Sequence, residues 1–345
     1  MVTVPIPLVA AVFLSFAASY LAVPVFNKFM YATGIVGRDI MKRDKQPIAD
    51  MGGPGVVVGF LLGIFVYIGL EVFAIKGLQG EELSYILASL NTILIITLIG
   101  IFDVLTALMN QREGQGIFER LKRRGIPAWF YFLIPLPAAV PLMAVNTGIT
   151  DMVLPFVGRI HLGILYPLVL IPLAVLCCAN ATNFLAGFNG LEAGMGSVLL
   201  ASLGIFALIN NKLSAAAIAL VFAVALISFL RYNWYPAKVF PGDLNYTIGA
   251  VCACVTVLGN MEKFAILCFI PWIIEALLKA LSGFKAENYG ILQKDGTVKP
   301  REDKIRSLTH IVMRSGNFTE KQVSSILIGL EVVICTVAFA VIRFI

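Results

Sequence analysis

The sequence predicts an all-α polytopic membrane protein of about ten transmembrane helices, with both termini outside and a composite site on the cytoplasmic face. Three observations predict it. Of 345 residues, 59% are hydrophobic and 13% charged, against roughly 45–50% and 25% in soluble domains. Apolar runs approaching the roughly 20 residues that a membrane-crossing helix needs recur along the whole chain. The cationic residues lying between those runs are distributed unevenly, in the manner of a membrane protein with one cytoplasmic side.

The runs fall near 7–27, 54–75, 85–102, 128–146, 162–181, 196–210, 214–230, 245–259, 264–281 and 323–342. The first has neither a basic leader nor a small-residue cleavage site, so it reads as a retained helix. The sixth to eighth are short, which suits tilted helices or helices sheltered by their neighbours. With the N-terminus outside, the connections 37–50, 103–127, 182–195, 231–243 and 282–322 face the cytoplasm. They carry nineteen of the 26 Lys and Arg residues, and the outer side carries five. The net charge of +6 therefore reflects cytoplasmic loops and anionic headgroups, with no nucleic acid implied. One domain, 1–345, accounts for the chain. The stretch 282–322 is its largest cytoplasmic loop, and "QKDGT" there (Asp-Gly) suits a small hairpin.

The six cysteines all sit inside apolar runs, where a thiol is ordinarily a small hydrophobe. Cys252 and Cys254, two apart on a helix, point to different faces and suit no metal. No disulfide framework is implied. Only His161 and His310 are present, which argues against a histidine zinc site.

Polar residues gather in the inner loops. The first reads "GRDIMKRDKQPIADMGGPG", the third "NATNFLAGFNGLEAG", the fourth "RYNWYPAKVFPGDLNY" and the fifth "GFKAENYG"; the second starts at "GIFDV". Glycines 52, 53, 55, 187 and 190 could let backbone approach a ligand, although Gly52 and Gly53 suit helix packing equally well. Asp103, Asn183, Asn189 and Asp243 suit a hard cation, and Mg²⁺ is typically held by one or two carboxylates plus substrate phosphates. Lys42, Lys45, Arg112 and Lys285 could meet remaining phosphate charge. Phe188, Trp234 and Phe240 could stack on a base, with an interfacial anchor the plainer role for Trp234. Asp243 opens a span, where a carboxylate costs up to about 2.5–3.5 kcal/mol and usually marks function. Glu192 likewise enters an apolar run straight after a glycine-spaced break, which calls for a polar task. The set fits a nucleoside diphosphate meeting a lipid at the interface.

On "NFLAGFNGLEAG" (183–194), "YNWYPAKVFPGD" (232–243) and, more weakly, "RDIMKRDKQPIADMGG" (38–53), the chain resembles the polyprenyl-phosphate N-acetylhexosamine-1-phosphate transferases (glycosyltransferase family 4), and within them the dolichol branch. The resemblance implies transfer of GlcNAc-1-phosphate from UDP-GlcNAc to dolichyl phosphate with release of UMP. It implies Mg²⁺, replaceable by Mn²⁺, on Asn183 and Asp243. It also implies a uracil held between Gly187 and Phe240 with Asn189 on its edge, substrate contacts at Ile40 and Asp50, and a phosphate contact at Arg112. Asp103 would act in catalysis. The family's two adjacent aspartates are here Phe102–Asp103, and its last-loop Arg/His cluster is replaced by "FKAENYG", which offers Lys285, Glu287 and Asn288 for pyrophosphate and sugar. An undecaprenyl-phosphate enzyme of cell-envelope synthesis is the alternative within this chemistry. A transporter is disfavoured by the absence of repeats and of midplane polar groups, and the aspartate-rich CDP-alcohol signature is missing. Partners are then UDP-GlcNAc, a polyprenyl phosphate and the bilayer, with a homodimer left open. The membrane would be the cell membrane in a prokaryote, with an archaeon favoured, or that of the endoplasmic reticulum in a eukaryote.

Overall fold

A computed structural model describes residues 4–109, 132–148, 151–154 and 158–344. The chain is mostly helical, and among the described residues seven helices are long and apolar enough to cross a membrane. It is a multi-pass membrane protein. The strands form only two-stranded hairpins.

The first hairpin of helices is α1 (Ile6–Thr33) and α2 (Gly53–Gly69), the latter running on through a π-helical turn to Ile75. Their contact follows from small residues spaced one turn apart. A methyl group at Gly55 would meet Val23, at Gly59 it would meet Ser19, and at Gly63 it would meet Ala11 and Ser15. Such a ridge lets backbones close up where lipid supplies no hydrophobic drive. The hydroxyl of Ser15 donates to the Val221 carbonyl at 2.8 Å, so it is not left unpaired in hydrocarbon.

Between α1 and α2 the first polar loop forms a small sheet, β1 (Val36–Arg38) with β2 (Pro47–Ala49). Helix α3 (Glu81–Met109) follows. The described part of the fourth expected span holds a 3₁₀ turn (Leu136–Ala139) and α4 (Val140–Ala144). Prolines 135, 137 and 141 there lack the N–H that a longer helix requires. Strands β3 (Asp151–Leu154) and β4 (Gly158–His161) make a second hairpin. Helix α5 (Ile171–Phe184), entered through a π turn from Tyr166, ends at the glycine-spaced break.

Helices α6 (Leu191–Ile209) and α7 (Leu213–Asn233) span 19 and 21 residues. The sequence expectation of short sixth and seventh spans is corrected here, because both helices extend inward through polar residues that the loops pair. Helix α8 (Leu244–Gly259) stays short at 16 residues. It can be short because it is sheathed: Ile248 to Val257 are all buried. Gly249 faces the backbone of Cys178 and Ala179 so closely that a methyl group would lie 2.4 Å from the Cys178 carbonyl oxygen.

The ninth expected span is two helices, α9 (Glu262–Cys268) and α10 (Ile270–Ala280). The break precedes Pro271, which has no N–H for the next helical bond. The expected hairpin around "QKDGT" is present as β5 (Gly290–Leu292) with β6 (Val298–Pro300). An amphipathic helix α11 (Leu308–Ser315) then packs under α10, its N-terminus held by the Glu275 carboxylate, which accepts from Leu308 N at 2.7 Å. Helix α12 (Glu320–Val341) opens with a capping box at Thr319 and Gln322. His310 is fully buried and its Nε2 lies 2.8 Å from the Glu287 carbonyl oxygen, a structural role. All six cysteines are free.

Candidate active site

Four inner loops and the end of α3 converge on one cavity of about 680 Å³. It is lined by Gly37–Met41 and Asp50 from the first loop, Val104 from α3, and the 183–192 break. The corner residues 240–243 with Asn245, and Lys279 with Phe284 and 286–289, complete the wall. The loops that sequence reading grouped together thus line one cavity at one end of the bundle. The second loop beyond Met109, and Arg112 with it, lies outside the described residues.

The loops are tied to each other by backbone. Phe240 N donates to Ala49 O at 2.8 Å, Gly52 N to Phe240 O at 2.8 Å and Gly53 N to Pro241 O at 3.0 Å. A methyl group at Gly52 would strike the Phe229 ring at 2.6 Å, and one at Gly53 the Pro241 carbonyl at 2.9 Å. Glycines 52, 53 and 55 are therefore packing glycines. Their candidacy as ligand-approach positions is corrected, since loop and helix backbone fill the space.

The break at 183–190 is held from three sides. Glu192, buried in the first turn of α6, accepts from Gly187 N at 2.7 Å through Oε1. That is the polar task that brings a carboxylate into an apolar run: it closes the loop onto its own helix. Asn233 accepts from Gly190 N at 3.1 Å and donates to Val239 O at 3.0 Å, joining the third loop to the fourth. Asn288 donates from Nδ2 to the carbonyls of Phe184 and Ala186. Gly187 has φ +105°, a region L side chains rarely adopt, and the Tyr289 ring covers the place of its missing Cβ at 2.5 Å.

Phe240 lies against Gly37 on the opposite wall, 3.2 Å from where a Cβ would be, with Asp50 Oδ2 beside it at 3.4 Å. Asp50 accepts from Met51 N at 2.8 Å, and burial holds its pKa above the ordinary carboxylate value. Asn189 and Ile40 also line the cavity. Lys285 is exposed and is not among the lining residues, whereas Lys279 is buried, lines the wall and donates to Ala286 O at 2.6 Å. That lysine reads in sequence as a helix-end charge. Only the fold turns it inward.

Asp103 of α3 lies within hydrogen-bonding reach of Asp243, which lines the cavity. Burial and then the charges of Asp103 and Asp50 push the Asp243 pKa up to about 8. Asp243 Oδ2 is buried without a partner. Asn183 Oδ1 accepts from Asn245 Nδ2 at 2.8 Å while its Nδ2 donates to the Tyr246 hydroxyl at 2.8 Å. A carbonyl oxygen has a second lone pair, so Asn183 can still offer one to a cation. Adjacent half-buried carboxylates with an orphaned oxygen suit a hard divalent cation, with Asp243 and Asn183 as donors. Among the described residues no group of three His, Cys, Asp or Glu is placed to hold a metal alone, which fits a cation completed by substrate oxygens.

Beside this polar cavity runs an apolar one of about 710 Å³ along α5, α8 and α10. The two share Phe184 and Phe284, whose ring centroids lie 5.5 Å apart. The far end of the groove carries Tyr166 and Glu262, paired through the Tyr166 hydroxyl.

The model of glycosyl transferase family 4 matches residues 86–260. A provisionally named UDP-N-acetylglucosamine–dolichyl-phosphate N-acetylglucosaminephosphotransferase of Sulfolobus acidocaldarius is 32% identical over 88% of this chain and 87% of its own. The chain belongs to glycosyl transferase family 4. Two further relatives share less of the sequence. The enzyme of that name from Schizosaccharomyces pombe is 29% identical over 77% of this chain and 65% of its own. The phospho-N-acetylmuramoyl-pentapeptide-transferase of Streptococcus mutans is 28% identical over 79% of each chain. For a member of family 4, the residues that sequence reading left without a role here are Asp39, Asn233, Asn245, Lys279, Tyr289 and Glu320. Asp39, Asn233, Asn245 and Tyr289 sit inside the quoted loop stretches; Lys279 and Glu320 carried no local signal.

Proposed function

We propose that the protein transfers GlcNAc-1-phosphate from UDP-GlcNAc to dolichyl phosphate, releasing UMP and forming GlcNAc-PP-dolichol, the first step of lipid-linked oligosaccharide synthesis. One observation carries this reading: a polar cavity lined by Asp243, with Asp103 beside that carboxylate, shares two wall residues, Phe184 and Phe284, with an apolar groove. A soluble sugar nucleotide and a membrane lipid would meet at that junction. The groove follows α5 from Tyr166 to Phe184, roughly 27 Å at 1.5 Å per residue, a depth suited to a polyprenyl chain crossing the hydrocarbon core. The names of the archaeal and eukaryotic relatives support the same substrates.

The geometry suggests how the chain's residues share the work. Asp243 and Asn183 would hold Mg²⁺ or Mn²⁺, which when bound neutralises pyrophosphate charge. Gly187 and Phe240 would flank the uracil, with Asn189 at its edge. Arg112 belongs to the phosphate contacts in this reading, as do Lys279 and, more distantly, Lys285. A lipid-phosphate oxygen would attack the phosphorus bearing GlcNAc, and the bond from that phosphorus to the bridging oxygen breaks as UMP leaves. Phosphoryl transfer of this kind rests on positioning and charge neutralisation. The attacking phosphate is already anionic, so Asp103 would steer it or accept its last proton.

Ten spans with both termini outside, and the site cytoplasmic, remain our reading of the topology. The placement in a cell membrane rests on the archaeal relatives. Purified protein should be given several UDP-sugars with dolichyl and undecaprenyl phosphates, scoring lipid product and UMP. Product with UDP-GlcNAc and dolichyl phosphate supports the reading. Turnover only with undecaprenyl phosphate would move the enzyme to cell-envelope synthesis.

A further inference from the structure

Asn189 is fastened at three groups, and the fastening has a direction. Its N–H donates to Glu320 Oε1 at 2.9 Å and its carbonyl accepts from Ser324 Oγ at 3.0 Å, so α12 fixes the backbone. Its side-chain Nδ2 donates to Asp39 Oδ2 at 3.0 Å. Asp39 also accepts from Met41 N at 3.0 Å through Oδ1 and pairs with Lys42 Nζ at 2.7 Å. A carboxylate whose two oxygens face an ammonium and a backbone N–H presents only acceptors to its neighbours. The Asn189 amide therefore cannot be turned over: its nitrogen must face Asp39. Both residues are 5% exposed and line the cavity.

We propose that Asp39 is a specificity-determining residue that sets the choice of nucleobase by locking the Asn189 amide. With Nδ2 turned to Asp39, the group Asn189 offers a ligand is the acceptor Oδ1, with at most the second N–H beside it. An imide edge, as in uracil, brings an N–H donor between two carbonyls and matches that face. Cytosine brings a ring-nitrogen acceptor to the same position, so two lone pairs would oppose each other. The lock makes the mismatch unavoidable, whereas a free amide could rotate and accept either base. A site built around one hydrogen-bonding pattern rejects the wrong partner because its own polar group is left unpaired. This rests on the reading of the cavity as a uridine-nucleotide site.

The test uses the full-length protein in detergent, with UMP and CMP as probes and binding affinity as the readout, so that turnover is not needed. Wild type should prefer UMP. Asp39→Asn, which can donate as well as accept, should let the amide turn and lower the UMP-over-CMP ratio by about tenfold or more. Exchanging the pair (Asp39→Asn with Asn189→Asp) restores a donor facing an acceptor and leaves a carboxylate oxygen for the imide N–H, so the preference should return. A merely structural role would weaken both nucleotides together. An unchanged ratio in Asp39→Asn, or an exchanged pair that folds but stays indifferent to the base, overturns the proposal. Should the single variant not fold, the exchanged pair decides alone. Wild type binding neither nucleotide would instead bring down the uridine reading itself.

Discussion

The carboxylate of Asp103, near the end of α3, meets that of Asp243, which caps α8 and lines the cavity, and the two helices pack against each other. Gly100, one turn before Asp103 in α3, permits the approach, for a methyl group there would lie 2.9 Å from the Asp243 Cβ. Two acids held this close in a buried place repel once both are ionised, and a cation relieves that repulsion.

Asp243→Asn should keep the fold, since a neutral isostere is easier to bury, and should lose transferase activity by about 10²-fold or more, the scale of removing a preorganised electrostatic contact. Chelator should abolish wild-type activity and added Mg²⁺ or Mn²⁺ restore it. Activity surviving in Asp243→Asn would take that carboxylate out of the site.

Asp103 is positioned for steering or proton acceptance, and also for direct attack on the sugar nucleotide. Incubation with UDP-GlcNAc and labelled UMP, without lipid phosphate, separates the two. We expect no label to enter UDP-GlcNAc. Exchange that Asp103→Asn abolishes would make Asp103 a covalent nucleophile instead.

Gly187→Ala should weaken UDP-GlcNAc binding strongly, because a methyl group must displace the Tyr289 ring from 2.5 Å at a φ of +105°. The apparent KM should rise by about tenfold or more while kcat changes less, as expected for contacts made equally in ground and transition states. A variant with unaltered KM would show that the nucleotide does not lie against this turn.

Ala181→Trp fills the apolar groove next to its junction with the polar cavity. It should raise the KM for polyprenyl phosphate and leave UMP affinity near wild type. Equal loss of both would mean that the bulk deforms α5, and loss of neither would mean that the lipid takes another route.

Gly59→Leu should destabilise the α1–α2 hairpin, since even a methyl group would overlap Ser19 Oγ. Overpacking of this sort costs typically about 1–3 kcal/mol, read as a lowered melting temperature in detergent. An unchanged melting temperature would refute the close packing.

What the sequence determined by itself is the part of the protein governed by local chemistry. Hydrocarbon demands long apolar helices, so α1, α2, α3, α5 and α12 stand out by length and composition alone, and Asp-Gly in "QKDGT" marks the β5–β6 turn. Asp243, Asn183, Gly187, Asn189 and Phe240 stand out because polar or glycine-spaced residues interrupt such helices at a cost that needs a reason. What only the tertiary structure decided are the relations between distant segments. Glycines 52, 53 and 55 look like Gly187 in sequence, yet they pack against neighbouring elements away from the cavity, while a φ of +105° and a place in the cavity wall set Gly187 apart. Lys279 and Lys285 carry the same charge six positions apart, and only the turn after α10 sends one into the wall and the other outward. Asp39 becomes meaningful only when 150 residues of intervening chain bring Asn189 to it. Hydrogen bonds of that span leave no periodicity in the sequence, because their partners are chosen by helix packing, and helix packing is a property of surfaces that meet only after folding.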